Sequence, residues 1–393
     1  MTNAFDVVIV GGGLVGASLA CALEPAGTSV AVVEPRAPVL LPADDAWDSR
    51  VYAISPGSAV FLEACGAWQA LHVDRAGRVE RIETMRIFGD AQSSRLEFNA
   101  YDAGLRELAF IVENVRLQHA LWQRLQHAHH VRVYCPATCE SIEWANDAAH
   151  LRLADGRVLS AKLIVGADGM DSWVRQQAGI ALTPHDYHQL GVVANFDIER
   201  PHYGTAFQWF RGDGVLALLP LPGNRVSMVW SCDKALADEL LAFAPDALEQ
   251  RVAEASGNAL GALQTVTPAA GFPLRMQKVA QLVKPRVALV GDAAHTVHPL
   301  AGQGVNLGFR DARELAAVLC DRGAQHDCGD YALLRRYERA RKEDVLAMQT
   351  AADSLLKLFA AKGVWLSALR NTGLNLVEHL PHVKTMLIRQ AVA

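Results

Sequence analysis

Phe5 to Arg36 reads FDVVIVGGGLVGASLACALEPAGTSVAVVEPR, and its order of strand, glycine turn, helix and second strand decides the fold. The nearly continuous apolar, β-branched run from Asp6 to Val10 is what a buried parallel strand requires. Gly11, Gly13 and Gly16 then form G-x-G-x-x-G. The first glycine permits a tight turn, the second lets backbone approach a pyrophosphate, and the third lets helix and strand pack closely. The helix predicted from Leu14 to Leu23 points its free N–H groups and positive dipole end at the same place. Leu14 and Val15, its first residues, therefore join the three glycines as candidate phosphate contacts. Glu34 ends the second strand 18 residues beyond Gly16, where an acid accepts a ribose hydroxyl. An acid there favours a free 2′-hydroxyl, hence FAD or NAD rather than NADP. The competing reading, a βαβ unit that binds nothing, leaves this combination of turn, helix and acid without a purpose.

The rest of the composition sets bounds. At 393 residues, two domains or one large domain with a lobe are expected. Hydrophobic residues make up 51 % and charged ones 20 %, with a net charge of −5. That is ordinary globular material, and it offers no electrostatic case for binding nucleic acid. The 7 cysteines are odd in number and show no C-x-x-C spacing, so reduced thiols in a cytoplasmic chain are expected. Phe5 to Val10 already reads as a strand, which leaves no room for a signal peptide. No run approaches the roughly 18 apolar residues of a membrane span. The expectation is a cytoplasmic protein, soluble or peripheral on the inner face of the membrane.

Two later segments repeat the strand-to-turn pattern. LIVGADGMDSWVRQQAG (Leu163 to Gly179) places Asp168-Gly169 at a turn, with Ser172 and Arg175 on the helix that follows. RVALVGDAAHTVHPLAGQGVNLGFRDA (Arg286 to Ala312) places Gly291-Asp292 at a strand end and a glycine loop after it. An aspartate at such a point can bond a ribitol hydroxyl, and the loop can offer N–H groups to a flavin ring. Each aspartate alone reads equally well as a solvated turn residue; together and in this order they are more specific. His295 and His298 are spaced i, i+3, but no cysteine or acid stands at ligand spacing, so packing or hydrogen-bonding histidines are expected and no metal. Neither G-x-S-x-G nor H-E-x-x-H occurs, so no catalytic triad or zinc protease site is expected. Pro299, Gln303 and His298 are the candidate catalytic residues, His298 as a proton acceptor beside a phenol. Gln303 reads equally well as a plain loop amide.

The order GGGLVG, GADG, VGDAAH and HPLAGQGVNLGFRD resembles the single-component, FAD-dependent aromatic hydroxylases, the class A flavoprotein monooxygenases. HPLAGQGVNLGFRD is closer still to the hydroxylase family of ubiquinone biosynthesis. DSRVYAISPGSAVFLEACGAW (Asp48 to Trp68), FIVENVRLQHALWQRL (Phe110 to Leu125), RRYERARKEDVLAMQTAADSLLKLF (Arg335 to Phe359) and LRNTGLNLVEHLPHVKTMLIRQA (Leu369 to Ala391) are also similar to that family. The resemblance covers nearly the whole chain, most weakly Thr183 to Pro273. It implies an α/β fold in which a Rossmann-like FAD-binding domain of the glutathione-reductase type is interrupted by a mixed β-sheet substrate domain, with C-terminal helices added. The implied boundaries are 1–75, 101–182 and 274–340 for the FAD domain, 76–100 and 183–273 for the substrate domain, and 341–393 for the helical end.

The resemblance also assigns roles. Gly11, Gly13, Gly16 and Glu34 would hold the ADP half of FAD, with Arg36 and Arg50 near the pyrophosphate or ribityl chain. Asn114 stands where related hydroxylases often carry Arg or Gln toward the ribityl. Asp168 would lie in the turn shared by the pyrophosphate and the access path of the nicotinamide cofactor. Asp292 would bond the ribitol, and Gly302, Gly304, Val305 and Asn306 would pass along the isoalloxazine ring. The implied reaction uses NADPH or NADH to reduce the flavin, passes one atom of O2 to the ring of a polyprenylated phenol, and releases the other as water. The protein must then orient the ring and exclude water.

LGVVANFDI (Leu190 to Ile198), TAFQWF (Thr205 to Phe210), GVLALLPLP (Gly214 to Pro222) and RVSMVWSC (Arg225 to Cys232) read as antiparallel strands. TMRIFGD and RLEFNA (Thr84 to Asp90, Arg95 to Ala100) add a strand pair. Val226, Met228 and Trp230 share one face, which reads either as pocket lining or as core. From Ala351 onward, five Lys and Arg oppose Asp353 and Glu378, a surplus of +3. A basic amphipathic end suits a membrane surface or a partner, and equally a helical lid on the FAD domain. A membrane surface, a ubiquinone-synthesis complex and a second copy of the chain are the partner expectations, beside the polyprenylated substrate and O2. The rival functions are a hydroxylase of a soluble phenol and a non-catalytic flavin-binding subunit of a lipid-modifying complex.

Overall fold

The computed structural model describes residues 3–39, 41, 46–73, 77–89, 94–296, 304–323, 326–360, 384, 385 and 388. Val7, Val8 and Ile9 are fully buried, as the unbroken apolar run requires. Their strand, Ala4–Val10, lies between Val30–Val33 and Val158–Gly166 and is parallel to both, with Val7 opposite Val30 on one side and Leu163 on the other. Val287–Leu289 continues the parallel sheet beyond Val158–Gly166, and Val131–Tyr134 continues it beyond Val30–Val33. The antiparallel strands Cys139–Trp144 and Ala149–Leu153 lead into Val158–Gly166. Helix Leu14–Ala22 packs against helix Gly304–Cys320. The fit is close because Gly308 has no side chain: a Cβ there would stand 2.6 Å from a Val15 methyl.

The second sheet is mixed. Its order runs His295–Thr296, Ala270–Val279, Leu182–Ile198, Arg225–Asp233, Gly214–Leu221, Thr205–Arg211, Thr84–Phe88, Arg95–Asn99. Thr84–Phe88 is parallel to Thr205–Arg211, and the other neighbours in that order are antiparallel. Val226, Met228 and Trp230 are fully buried with Ala237 and Leu240 of helix Lys234–Ala242 and with Leu248 and Val252 of helix Pro245–Ala255. Two helices cover that face, so its apolar alternation is core. Ser227, Val229 and Ser231 therefore look the other way, on the face from which Asn195 reaches Asp48. The expected boundary at 273/274 falls inside the strand Ala270–Val279.

The second sheet is tied to residues flanking a third sheet made of Val51–Ile54, Ala109–Glu113 and Val79–Ile82. Asn195 donates from Nδ2 to the Asp48 carbonyl at 2.9 Å. The Trp47 ring lies under the guanidinium of Arg78 at 3.7 Å and that of Arg225 at 4.5 Å. Helix Tyr331–Ala360 runs straight through the expected 340/341 boundary and grips the first and second sheets. Tyr337 donates to the Leu289 carbonyl at 2.8 Å, Glu338 accepts from the Leu282 N–H at 2.8 Å, and Gln349 donates to the Gln277 carbonyl at 3.1 Å.

Candidate functional site

The carboxyl ends of Ala4–Val10, Val30–Val33, Val158–Gly166 and Val287–Leu289 share one edge of the parallel sheet, the place where such sheets take ligands. Gly11 has φ +107°, and a Cβ on it would run into the Ala167 carbonyl. Only glycine suits both conditions. A Cβ on Gly16 would meet the Gly11 carbonyl, whereas one on Gly13 would meet nothing within 4 Å. Gly13 caps helix Leu14–Ala22 without any side-chain bond, so the first N–H groups, those of Leu14 and Val15 among them, stay available to an anion. The side chains of Leu14 and Val15 do other work: Leu14 is in the core, and the Val15 methyls fill the space over Gly291 and Gly308.

Glu34 is half-buried at this edge. Its Oε2 accepts the Gly12 N–H at 2.7 Å and its Oε1 the Arg36 N–H at 3.1 Å. The acid thus shapes the glycine loop, while the Arg36 side chain is exposed. Trp122, absent from the sequence reading, donates from Nε1 to the Gly12 carbonyl at 2.7 Å and locks the loop from the far side. Its only signal in the sequence was a tryptophan on the apolar face of the helix that follows Glu113.

Arg50 and Asn114 are brought together, since the Asn114 N–H donates to the Arg50 carbonyl at 2.9 Å. The Arg50 guanidinium stands 5.4 Å from the Tyr52 ring centre and 5.8 Å from that of Phe272, which belongs to the second sheet. Asp48 organises this corner: it accepts the Arg50 N–H at 2.9 Å and the Val115 N–H at 3.1 Å. Asp168 accepts the Val174 N–H at 2.9 Å and so caps the short helix Trp173–Gln177. Its other oxygen, Oδ1, is shut off from water and has no hydrogen-bond partner among the described residues. Arg175, buried, joins this turn to the next by donating to the carbonyls of Met170 at 3.0 Å and Ala293 at 3.2 Å.

Asp292 sits in the turn Gly291–Ala293. It reaches water, yet protein surrounds it on the remaining sides. That enclosure pushes its carboxyl pKa up, against the pull of His295 and Arg50, and Asp311 adds to the rise. Asp311 is fully buried. Burial works to raise its pKa too, but His295 and Arg341 outweigh burial and hold it below the usual carboxylate range.

Helix Gly304–Cys320 begins at Gly304, where a Cβ would meet nothing within 4 Å. Val305 packs on the core. The Asn306 side chain is spent on protein: Oδ1 accepts the Ser55 N–H at 2.9 Å and Nδ2 donates to the Ala53 carbonyl at 2.8 Å. Its amide therefore fastens the helix to strand Val51–Ile54, and only backbone is left for a ligand. His298, Pro299, Gly302 and Gln303 lie outside the described residues.

The cradle at Gly13, the uncapped helix end and the orphaned Asp168 oxygen fit a dinucleotide whose phosphates and sugars would meet them. A family model described as FAD binding domain matches residues 4–352. The chain belongs to this FAD-binding domain family. FAD is accordingly its cofactor. Family members also resemble it along its whole length. The 3-demethoxyubiquinol 3-hydroxylase of Escherichia coli (strain K12) is 36% identical over 396 residues, covering 100% of both chains. The ubiquinone hydroxylase UbiL of Rhodospirillum rubrum is 36% identical over 390 residues, covering 98% of this chain and 89% of that one. The crystal structure of Pseudomonas aeruginosa PqsL in complex with 2-aminobenzoylacetate superposes with a TM-score of 0.78 at 25% identity, covering 91% of this chain and 97% of that one. The chain is an FAD-dependent hydroxylase.

Proposed function

We propose that this hydroxylase acts on the aromatic ring of a polyprenylated phenol in ubiquinone biosynthesis, with NADPH or NADH as reductant and O2 as co-substrate. The observation that carries the reading is likeness over the full length of both chains to the 3-demethoxyubiquinol 3-hydroxylase. Bound FAD supplies the oxygen-activating chemistry; the chain's residues bind, orient and keep water out. Gly11, Gly13 and Gly16, with the free N–H groups of Leu14 and Val15, hold the pyrophosphate, and Glu34 takes the ribose. Asp292 takes the ribitol, with the positive charge of Arg50 beside it. Arg36, Asn114 and Asp168 line the outer part of the same site. Backbone N–H groups at the start of helix Gly304–Cys320 would be available to the flavin ring. His298, Pro299, Gln303 and Gly302, which lie outside the described residues, are assigned on the same reading to the flavin and the substrate.

The substrate ring lies against the sheet face that carries Gly191, Val193, Val215, Val229 and Ser231, which are opposed across the strands. Two links bound this face on either side: Asn195 to Asp48, and Phe272 to Arg50. Small and β-branched side chains leave room there for a planar ring and hold no charge against it. The +3 surplus from Ala351 onward would suit an anionic membrane surface from which a polyprenyl substrate comes, the alternative being a helical lid on the FAD domain.

The test uses purified FAD-loaded protein. Oxidation of NADPH or NADH should speed up with a prenylated phenol, and mass spectrometry should find the product one oxygen heavier. A tail-less phenol with the same head should do less. Equal rates with both phenols would favour a soluble substrate, and hydrogen peroxide without product would sink the hydroxylase reading for this substrate class.

A further inference from the structure

Behind the Asp292 turn, three segments of the chain meet on one carboxyl group. Asp311 Oδ2 accepts the Gly291 N–H at 2.9 Å and lies 2.7 Å from His295 Nε2. Its Oδ1 accepts Arg341 Nε–H at 2.7 Å. Arg341 is itself buried, donates to Asp344 at 2.6 Å and reaches the Leu307 carbonyl at 3.5 Å. The turn, helix Gly304–Cys320 and helix Tyr331–Ala360 are thereby joined through a single side chain. Gly291 has φ +60°, a conformation with no side chain to lock it, so the partner of its N–H decides where the turn points.

We propose that Asp311, held in place by Arg341, is a positioning residue that sets the Gly291–Asp292 turn to receive the flavin's ribitol chain. The proposal rests on the reading that Asp292 bonds that chain. Three donors converge on Asp311, and a carboxylate offers acceptor sites to all of them. An amide offers one oxygen and turns N–H toward a donor. A buried carboxylate also needs a countercharge, and Arg341 supplies it; without it the remaining charge is strongly disfavoured. The other ionisable groups facing this cluster are His295, Asp292, Asp344, Arg310 through Asp344, and Tyr337. No other cation bonds Asp311 Oδ1 among the described contacts.

The experiment strips FAD from the protein and titrates it back, following quenching of flavin fluorescence, beside the melting temperature of each apoprotein. Arg341→Gln and Asp311→Asn should weaken FAD binding about tenfold to a hundredfold and shift the bound flavin's visible absorption band. Arg341→Lys, which restores the charge, should recover most of the affinity. Glu338→Ala is the structural control: it breaks an anchor of the same helix, on the Leu282 N–H, and does not reach the turn. It should lower the melting temperature but leave FAD affinity within about twofold. The proposal falls if Arg341→Gln binds FAD like the wild type, or if Glu338→Ala loses as much affinity per degree of melting temperature. Should Asp311→Asn fail to fold, the Arg341 pair decides. An Asp292→Ala variant with wild-type affinity would remove the ribitol reading and this proposal with it. A weakened Asp292→Ala beside an unaffected Arg341→Gln removes the proposal alone.

Discussion

A methyl group added at Gly11 runs into the Ala167 carbonyl, while one added at Gly13 meets nothing within 4 Å. Two glycines of one motif therefore answer to different demands. Gly11 is fixed by the protein's own backbone at φ +107°, so Gly11→Ala should destabilise the apoprotein by about 1 to 3 kcal/mol. Gly13→Val should leave apoprotein stability within about 0.5 kcal/mol and weaken FAD by at least about tenfold. Urea unfolding of the apoproteins and FAD titration separate the two; equal effects at both positions would contradict the division. Both glycines were legible in the sequence because a turn is a local event. The side-chain partners of Asn306 were not: Ala53 and Ser55 stand 253 and 251 residues away. Asp311 was quoted within a motif without a role for the same reason, because a buried acid is explained only by the distant side chains that neutralise it.

Among elements, strand Arg225–Asp233 shows what period-two alternation says and what it withholds. The alternation itself was plain in RVSMVWSC. Which face would be covered depended on helices Lys234–Ala242 and Pro245–Ala255 folding back over Met228 and Trp230. Nothing in the strand encodes that. The outcome separates neighbouring residues: Met228 is fully buried, whereas Val229 is half-buried on the opposite face. Met228→Ala should lower unfolding free energy by about 2 to 5 kcal/mol and leave KM for the phenol unchanged. Val229→Phe should raise KM by roughly tenfold with the smaller loss of stability. Thermal melts paired with steady-state kinetics decide, and a reversed pattern would place the substrate on the wrong face of the sheet.

For the whole molecule, the long final helix is the joint. Its buried bonds to Leu289, Asp311 and Gln277 come from Tyr337, Arg341 and Gln349, all before residue 359. A chain ending at Phe359 should therefore keep FAD, while losing the buried Lys384 and Ile388 should lower its melting temperature. If the basic region beyond serves the membrane, the full chain should co-sediment with vesicles of anionic phospholipid and the shortened chain should stay in the supernatant. Equal sedimentation would assign that region to packing. Among the described residues no helix is long and apolar enough to cross a membrane. The parallel sheet also has a history written into its strand order. Ala4–Val10 is made first and sits in the middle, yet the parallel strands end with Val287–Leu289. At translation rates of about 5 to 20 residues per second, roughly 15 to 60 seconds separate Ala4–Val10 from the last parallel strand and the Asp292 turn, although both neighbours of Ala4–Val10, Val30–Val33 and Val158–Gly166, emerge well before. On the proposed role of Asp292, a growing chain closes the strand-paired core around Val7 to Val10 first and gains its grip on the flavin only when that turn emerges.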